Sequence, residues 1–176
     1  EALTGGLPGG LTSQDVYDVL DLCLECRACK SECPVNVDVG RYKSEFLAGY
    51  WQRHGTSAAA RLFGRIHEAA PWASALAPIA NRLATTMAGR RLAAAMADID
   101  PRRTLPAWTR RPLRARLAGH ISRVPSPRAV LFADTFTSYM EPEIGVAAVE
   151  VIERAGPGAT LAPHVCCGRP LISQGL

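Results

Sequence analysis

The sequence is short of lysine, of aromatic residues and of long apolar runs. Only Lys30 and Lys43 are lysines among 20 basic side chains, and aromatics make up 6% of the 176 residues. The arginine excess, beside abundant alanine, reads first as codon bias. No stretch of 18 apolar residues escapes a charge or a proline, so no transmembrane helix is expected. Gly5, Gly6, Pro8, Gly9 and Gly10 break the first apolar positions where a secretory signal would need an unbroken run. Cysteine is missing from the whole stretch between Cys33 and Cys166. A disulfide framework disperses its partners, and adjacent Cys166 and Cys167 would make a strained bridge, so the crowding points to metal and a reducing compartment, the cytoplasm.

Composition is that of a globular chain, 48% hydrophobic and 20% charged. The net charge of +4 is unevenly spread. Residues 1–50 carry 4 basic and 8 acidic side chains, residues 51–128 carry 14 and 3, and residues 129–176 carry 2 and 5. Two acidic ends therefore flank a basic middle, which predicts different surfaces for different partners. The basic middle lacks interleaved aromatics and any nucleic-acid reading motif, so no nucleic acid is expected there. It suits a solvated face or a docking site for an acidic domain.

Local patterns predict mostly helix. Thr12 or Ser13 can cap a helix through about Leu22, with Val16, Val19 and Leu20 on one face. A second helix is predicted from about Asp38 to Arg53, with a Val39, Tyr42, Phe46 and Tyr50 stripe and Gly55 just past its end. Residues 56–98 are Ala-rich and helical in period, with breaks expected at Pro71 and Pro78. From Asp100 to Pro127 prolines and arginines punctuate a surface segment, with one helical stretch around Leu113–His120.

Ala129 to Ala133 then reads as a buried strand. Pro142 opens a helix closed by Gly156, with Ile144, Ala147, Ala148, Val151 and Ile152 toward a core, and Thr160 to Val165 gives a second strand. Strand, helix, strand is one βαβ unit, and alone it cannot bury its sheet. With cysteines at positions 23, 26, 29 and 33 in the first loop, the expected organisation is an α-helical ferredoxin-like iron–sulfur module over 1–55, a helical Arg-rich connecting region over 56–128 and a partial α/β cysteine-rich domain over 129–176.

Cys23-Leu-Glu-Cys26-Arg-Ala-Cys29-Lys-Ser-Glu-Cys33-Pro34 is C-x2-C-x2-C-x3-C-P without a gap. Two-residue gaps let one tight loop grip three corners of a cubane cluster, with backbone N–H groups turned toward its sulfides. In two-cluster ferredoxins the fourth cysteine, followed by proline, serves the other cluster. Pro34 forces Cys33 into an extended conformation that directs it away from the loop. A zinc site more often uses two C-x2-C pairs a dozen or more residues apart, so a zinc-stabilised interaction module is the alternative, and an iron–sulfur nucleic-acid-binding module a weaker one. Two clusters would need more thiolates than residues 1–50 hold, so either the chain is a fragment or Cys33 closes a single cluster locally.

Cys166-Cys167-Gly168-Arg169-Pro170 follows the second strand, at the carboxyl end of a parallel sheet where ligands bind. Gly168 lets the backbone turn, and a helix opening at Pro170 sets its positive end near the thiols. Cys166, Cys167 and Gly168 are candidate cofactor-binding residues; the competing reading is a pair of buried structural cysteines. His54, His67, His120 and His164 show no ligand spacing, although His164 is near enough in sequence to tune Cys166. Trp51, Trp72 and Trp108 read as core or domain-contact residues.

Leu22 through Asp38, then Tyr42-Lys43-Ser44-Glu45-Phe46-Leu47, resembles the iron–sulfur part of FAD-linked D-2-hydroxyacid dehydrogenases of the glycolate oxidase, D-lactate and D-2-hydroxyglutarate type. Val130 to Phe136 and Cys166 to Ile172 resemble the start of their cysteine-rich domain, and residues 56–128 match only loosely. The resemblance implies a [4Fe–4S] cluster on Cys23, Cys26 and Cys29, with Cys33 as a metal ligand serving a neighbouring cluster, electron transfer to an acceptor, and FAD on an upstream region or partner, a flavin-binding dehydrogenase domain or subunit. It also implies a cytoplasmic protein, at most peripheral to the inner face of the membrane. The related cysteine-rich domains place a cysteine about thirty residues before the Cys-Cys pair. Here Asp134 stands 32 positions before Cys166, counted as 166 minus 134. Nothing in the chain resembles a flavin site, so it is not expected to catalyse turnover alone.

Overall fold

The computed structural model describes residues 4–120, 122–163 and 165–176; the expectation for His164 lies outside them. The chain is mostly helical, with one two-stranded parallel sheet. It divides into two compact units: residues up to Arg65 together with Gly168–Leu176, and Ile66–Cys167. The region 56–128 is thus shared between the units.

In the first unit, Ser13 caps α1 (Gln14–Asp21) by accepting from the Val16 N–H at 3.4 Å. The cysteine loop follows, with the short α2 (Ala28–Glu32) inside it. Asp38 caps α3 (Val39–His54), accepting from the Arg41 N–H at 3.0 Å, and Gly55 closes it at φ 80°. Ser57 caps α4 (Ala58–Gly64), and a final short α11 (Arg169–Ser173) returns to the unit. Leu47 and Tyr50 are the buried core of α3; Tyr17 stacks on Tyr50 at 4.7 Å, and Trp51 Nε1 donates to the Gln174 carbonyl at 2.7 Å. The buried residues of α3 are Gly40, Leu47 and Tyr50; of the predicted stripe Tyr50 is buried, Val39 and Phe46 are half-buried, and Tyr42 is exposed. Val19 is also exposed, because α1 leans on α3 through Tyr17 instead.

The second unit begins with α5 (Ile66–Ala75), α6 (Ala77–Thr85) and α7 (Met87–Ala97). Pro78 lies in the first turn of α6, but Pro71 sits inside α5 rather than breaking it. The buried Ala70 and Ser74 hold the helix on both sides of that proline, and Ser74 Oγ donates to the Thr109 carbonyl at 2.5 Å. Trp72, on the same helix, is 75% exposed and so is not a core residue. The Pro- and Arg-punctuated segment is strapped to these helices: Asn81 donates to the Trp108 carbonyl at 2.9 Å and accepts the Trp108 N–H at 2.8 Å.

Next come α8 (Leu113–Arg116), β1 (Ala129–Leu131), α9 (Thr135–Tyr139), α10 (Pro142–Arg154) and β2 (Ala159–Leu161). The strands run parallel with Ala129 opposite Ala159 and Leu131 opposite Leu161, which makes the βαβ unit. The buried face of α10 is Pro142, Gly145, Val149 and Glu153; Ile144 and Val151 are exposed. That correction comes from Leu113, which seats its side chain over Gly145, where a Cβ would come within 2.3 Å of it. Val130 is 65% exposed, so β1 is not the buried strand its composition suggests: two strands leave one face uncovered. Among the described residues, no helix is long and apolar enough to cross a membrane.

Candidate metal centre

The cysteine loop is built between α1 and α3. Cys23 leaves α1 in a tight turn, its N–H donating to the Leu20 carbonyl at 3.0 Å. Glu25 and Arg27 then adopt left-handed backbone, at φ 51° and 61°, which coils the chain around Cys26. Cys29 lies in α2, and Cys33 ends that helix in extended conformation at φ −78°, ψ 123°, as Pro34 demands. Cys23, Cys29 and Cys33 are half-buried and Cys26 is exposed; all are free thiols.

Five contacts hold this loop in shape. Lys43 Nζ donates to the Cys23 carbonyl at 2.8 Å, and Ser44 Oγ donates to Glu25 Oε1 at 3.2 Å, both from α3. Arg169 Nη2 donates to the Glu25 carbonyl at 3.2 Å from α11. The Asp38 carboxylate lies 4.0 Å from Arg27 and 3.9 Å from Lys30, which ties α2 to the start of α3. Glu25, 6% exposed, is therefore the pivot of the loop. Sequence reading missed it, because a glutamate between cysteines carries no signal of its own.

Among the described residues, the backbone N–H groups of Leu24 through Cys29 donate to no other group. Most of this stretch is exposed, and Ala28 and Cys29 open α2, so these N–H groups are free for solvent or for another acceptor. Four thiols with a row of N–H donors fit an iron–sulfur cluster, whose sulfides accept such bonds. The thiols are not gathered as ligands here: among the described residues, no three His, Cys, Asp or Glu side chains stand together as a metal site.

Cys33 differs from the other three. The N–H of Val37 holds its thiol below the ordinary value, those of Val35 and Asn36 add to the effect, and burial opposes them. Its sulfur thus faces the downstream turn, where Asn36 (φ 57°) donates its N–H to the Cys33 carbonyl at 2.9 Å.

Cys166 and Cys167 lie in the second unit beyond β2, half-buried and exposed respectively. Gly168 adopts φ 78°, as the turn at this point requires, and precedes α11. The boundary between the units falls between Cys167 and Gly168.

Over 93% of its length the chain is 28% identical to a D-2-hydroxyglutarate dehydrogenase of Pseudomonas putida. Over 86% it is 25% identical to the D-2-hydroxyglutarate dehydrogenase of Escherichia coli. A shorter match, 56% of the chain at 33% identity, is to one of the subunits of the anaerobic glycerol-3-phosphate dehydrogenase of Escherichia coli, 26% of which is covered. No protein-family model and no solved structure matches. The chain is therefore a homologue of the D-2-hydroxyglutarate dehydrogenases and corresponds to one segment of them, spanning 17% of the Pseudomonas and 16% of the Escherichia protein.

Proposed function

We propose that the chain is the electron-transfer segment of a flavin-dependent 2-hydroxyacid dehydrogenase. The observation that supports this most is the gapless cysteine motif from Cys23 to Pro34, in a loop whose N–H groups from Leu24 to Cys29 are open to an acceptor. Cys23, Cys26 and Cys29 would hold a [4Fe–4S] cluster as thiolates, and Cys33 would serve a neighbouring one. When bound, such a cluster supplies one-electron chemistry.

The chain's own residues do the rest. The N–H row stabilises negative charge on the sulfurs. Lys43, Ser44 and Arg169 fix the loop against α3 and α11, so its geometry changes little between oxidation states. Leu22 and Leu24, 80% and 87% exposed, form an apolar rim through which an electron partner can approach the loop. Cys166, Cys167 and Gly168 are proposed as a second cofactor-binding element. FAD and the 2-hydroxyacid site belong to a flavin-binding domain or subunit outside this chain, in a cytoplasmic assembly, at most peripheral to the membrane.

Anaerobic reconstitution with iron and sulfide tests the reading. The expected product is brown, with about four irons per chain and a broad visible band that dithionite bleaches. A colourless product that takes one zinc and no acid-labile sulfide overturns it.

A further inference from the structure

Helices α5 and α6 form a nearly continuous run that is turned inside out. The Leu76 N–H donates to the Trp72 carbonyl at 3.0 Å and the Ala80 N–H to the Leu76 carbonyl at 2.9 Å, so helical bonds carry across the junction at Leu76. Positions three and four apart therefore share a face. Ala70, Ser74 and Ala77 are buried, and Asn81, next in that series, is bonded both ways to Trp108. The opposite series is Trp72, Leu76, Ile79 and Leu83, all exposed, Ile79 to 68%. The small side chains thus face the protein and the large apolar ones face outward.

The next helix repeats the inversion. In α7 Gly89 and Ala97 are buried, Gly89 so close to the Leu83 carbonyl that a Cβ would overlap it, while Met87, Leu92 and Met96 are exposed. Surface helices of a domain bathed in water show the reverse order, large apolar residues inward. A contiguous apolar stripe left outside marks a face that another surface covers.

Charge and bonding capacity select that surface. From Ala69 to Ala97 the chain has no Asp or Glu, and its charged residues are Arg82, Arg90 and Arg91, so the complement is anionic. Arg82 is exposed and borders the stripe beside Leu83. Protein interfaces carry about one hydrogen bond per 100–200 Å². Along the stripe only the Trp72 indole N–H and Arg82 can make one, whereas hydrocarbon needs none. A tryptophan, aliphatic side chains and an arginine at their edge are what a lipid headgroup boundary takes up. From Trp72 to Leu83 the run rises roughly 16 Å at ~1.5 Å per residue, about half of a ~30 Å hydrocarbon core, so it can lie along a bilayer but not cross it. We propose that the α5–α6 face rests on a bilayer surface rich in anionic phospholipid, with its four large side chains at the headgroup–acyl boundary and Arg82 on a lipid phosphate. This takes up the peripheral placement proposed above and gives it a specific surface. It needs neither cluster nor flavin, so it can fail while the electron-transfer reading holds.

The test sediments the whole 176-residue chain with vesicles of phosphatidylcholine alone, and of phosphatidylcholine and phosphatidylglycerol in equal parts. Binding is expected to the mixed vesicles, weakened by salt, with little to the neutral ones. Ile79→Ser should weaken it roughly tenfold or more, and Arg82→Gln roughly fivefold. Both positions are exposed, so helix content by circular dichroism should not change. The bound chain should show a blue-shifted tryptophan emission that Trp72→Phe removes while leaving most of the binding. Equal binding to both vesicle types, binding that Ile79→Ser leaves unchanged, or an unshifted emission overturns the proposal. Failure to bind either vesicle overturns it and assigns the face to an acidic protein partner. A dimer that Ile79→Ser dissolves, without vesicle binding, overturns it in favour of a second copy. Should Ile79→Ser lose its fold, the salt dependence and the Trp72 emission decide.

Discussion

Glu153 Oε1 accepts the backbone N–H of Ala159 at 2.7 Å, so the last buried turn of α10 holds the first residue of β2. The same carboxylate accepts from the Arg123 N–H and the Ser122 hydroxyl, each at 2.9 Å, and His120 Nε2 stands 3.4 Å away. One buried side chain thereby joins the strand to the segment that precedes β1. The Arg123 N–H, then that of Ala159, hold the carboxyl at about 2, against an ordinary value of 4.5. A depressed carboxyl stabilises the fold above its unfolded value and loses that contribution as pH falls through the folded one. Wild-type melting temperature should therefore drop between about pH 4.5 and pH 2. Glu153→Gln should melt lower at pH 7 and show a flatter acid limb. Parallel acid limbs in circular-dichroism melts would refute the role given to Glu153.

Gly175 sits where no other residue fits. A Cβ there would stand 2.5 Å from the Leu47 Cβ and 2.7 Å from the Ala48 nitrogen, and its φ is +67°. One of those atoms is helix backbone and cannot swing aside. Gly175→Ala should cost about 1–3 kcal/mol through overpacking and backbone strain, read from urea midpoints. Gly49→Ala, with nothing within 4 Å of its Cβ on the same helix, should instead stabilise by up to ~1 kcal/mol. Equal midpoints for the two variants would count against the packing described for α11.

Caps and punctuation were legible in the sequence; packing faces were not. Ser13 and Asp38 start their helices and Gly55 ends one because a capping side chain and a left-handed glycine act on their own neighbours. The face of α10 was not legible, since Val149 and Val151 are equally apolar and only Leu113, far earlier in the chain, selects between them. Pro71 escaped the local rule because burial of its neighbours outweighs one missing bond. In the candidate site the thiols are written in the spacing, whereas the bonds of Glu25, Lys43 and Arg169 span 19 to 144 residues and leave no local trace.

The Lys43 tether predicts a graded effect. Lys43→Met keeps the aliphatic stem and removes the donor to the Cys23 carbonyl. The loss should be about 0.5–1.5 kcal/mol, too little to unfold the unit but enough to loosen the loop. Backbone NMR order parameters of Leu24 through Arg27 should fall, and iron incorporation with them, with helix content unchanged. Unaltered order parameters in that stretch would show that α3 does not hold the loop through this bond.

The sharpest prediction separates Cys26 from Cys33. Cys23, Cys26 and Cys29 recur every third residue around two left-handed positions, Glu25 and Arg27, with unpaired N–H groups between them. Cys33 stands one residue further on, extended before Pro34, where the N–H groups of Val37, Val35 and Asn36 hold its thiol below the ordinary value. Those donors favour its thiolate independently of the loop, which suits a ligand offered to a separate centre. Cys26→Ser should therefore abolish the visible band of the anaerobically reconstituted chain and most of its bound iron. Cys33→Ser should leave both nearly unchanged, and its defect should emerge only where a second cluster is present. Equal loss of iron in the two variants would instead make Cys33 the fourth ligand of a single local cluster.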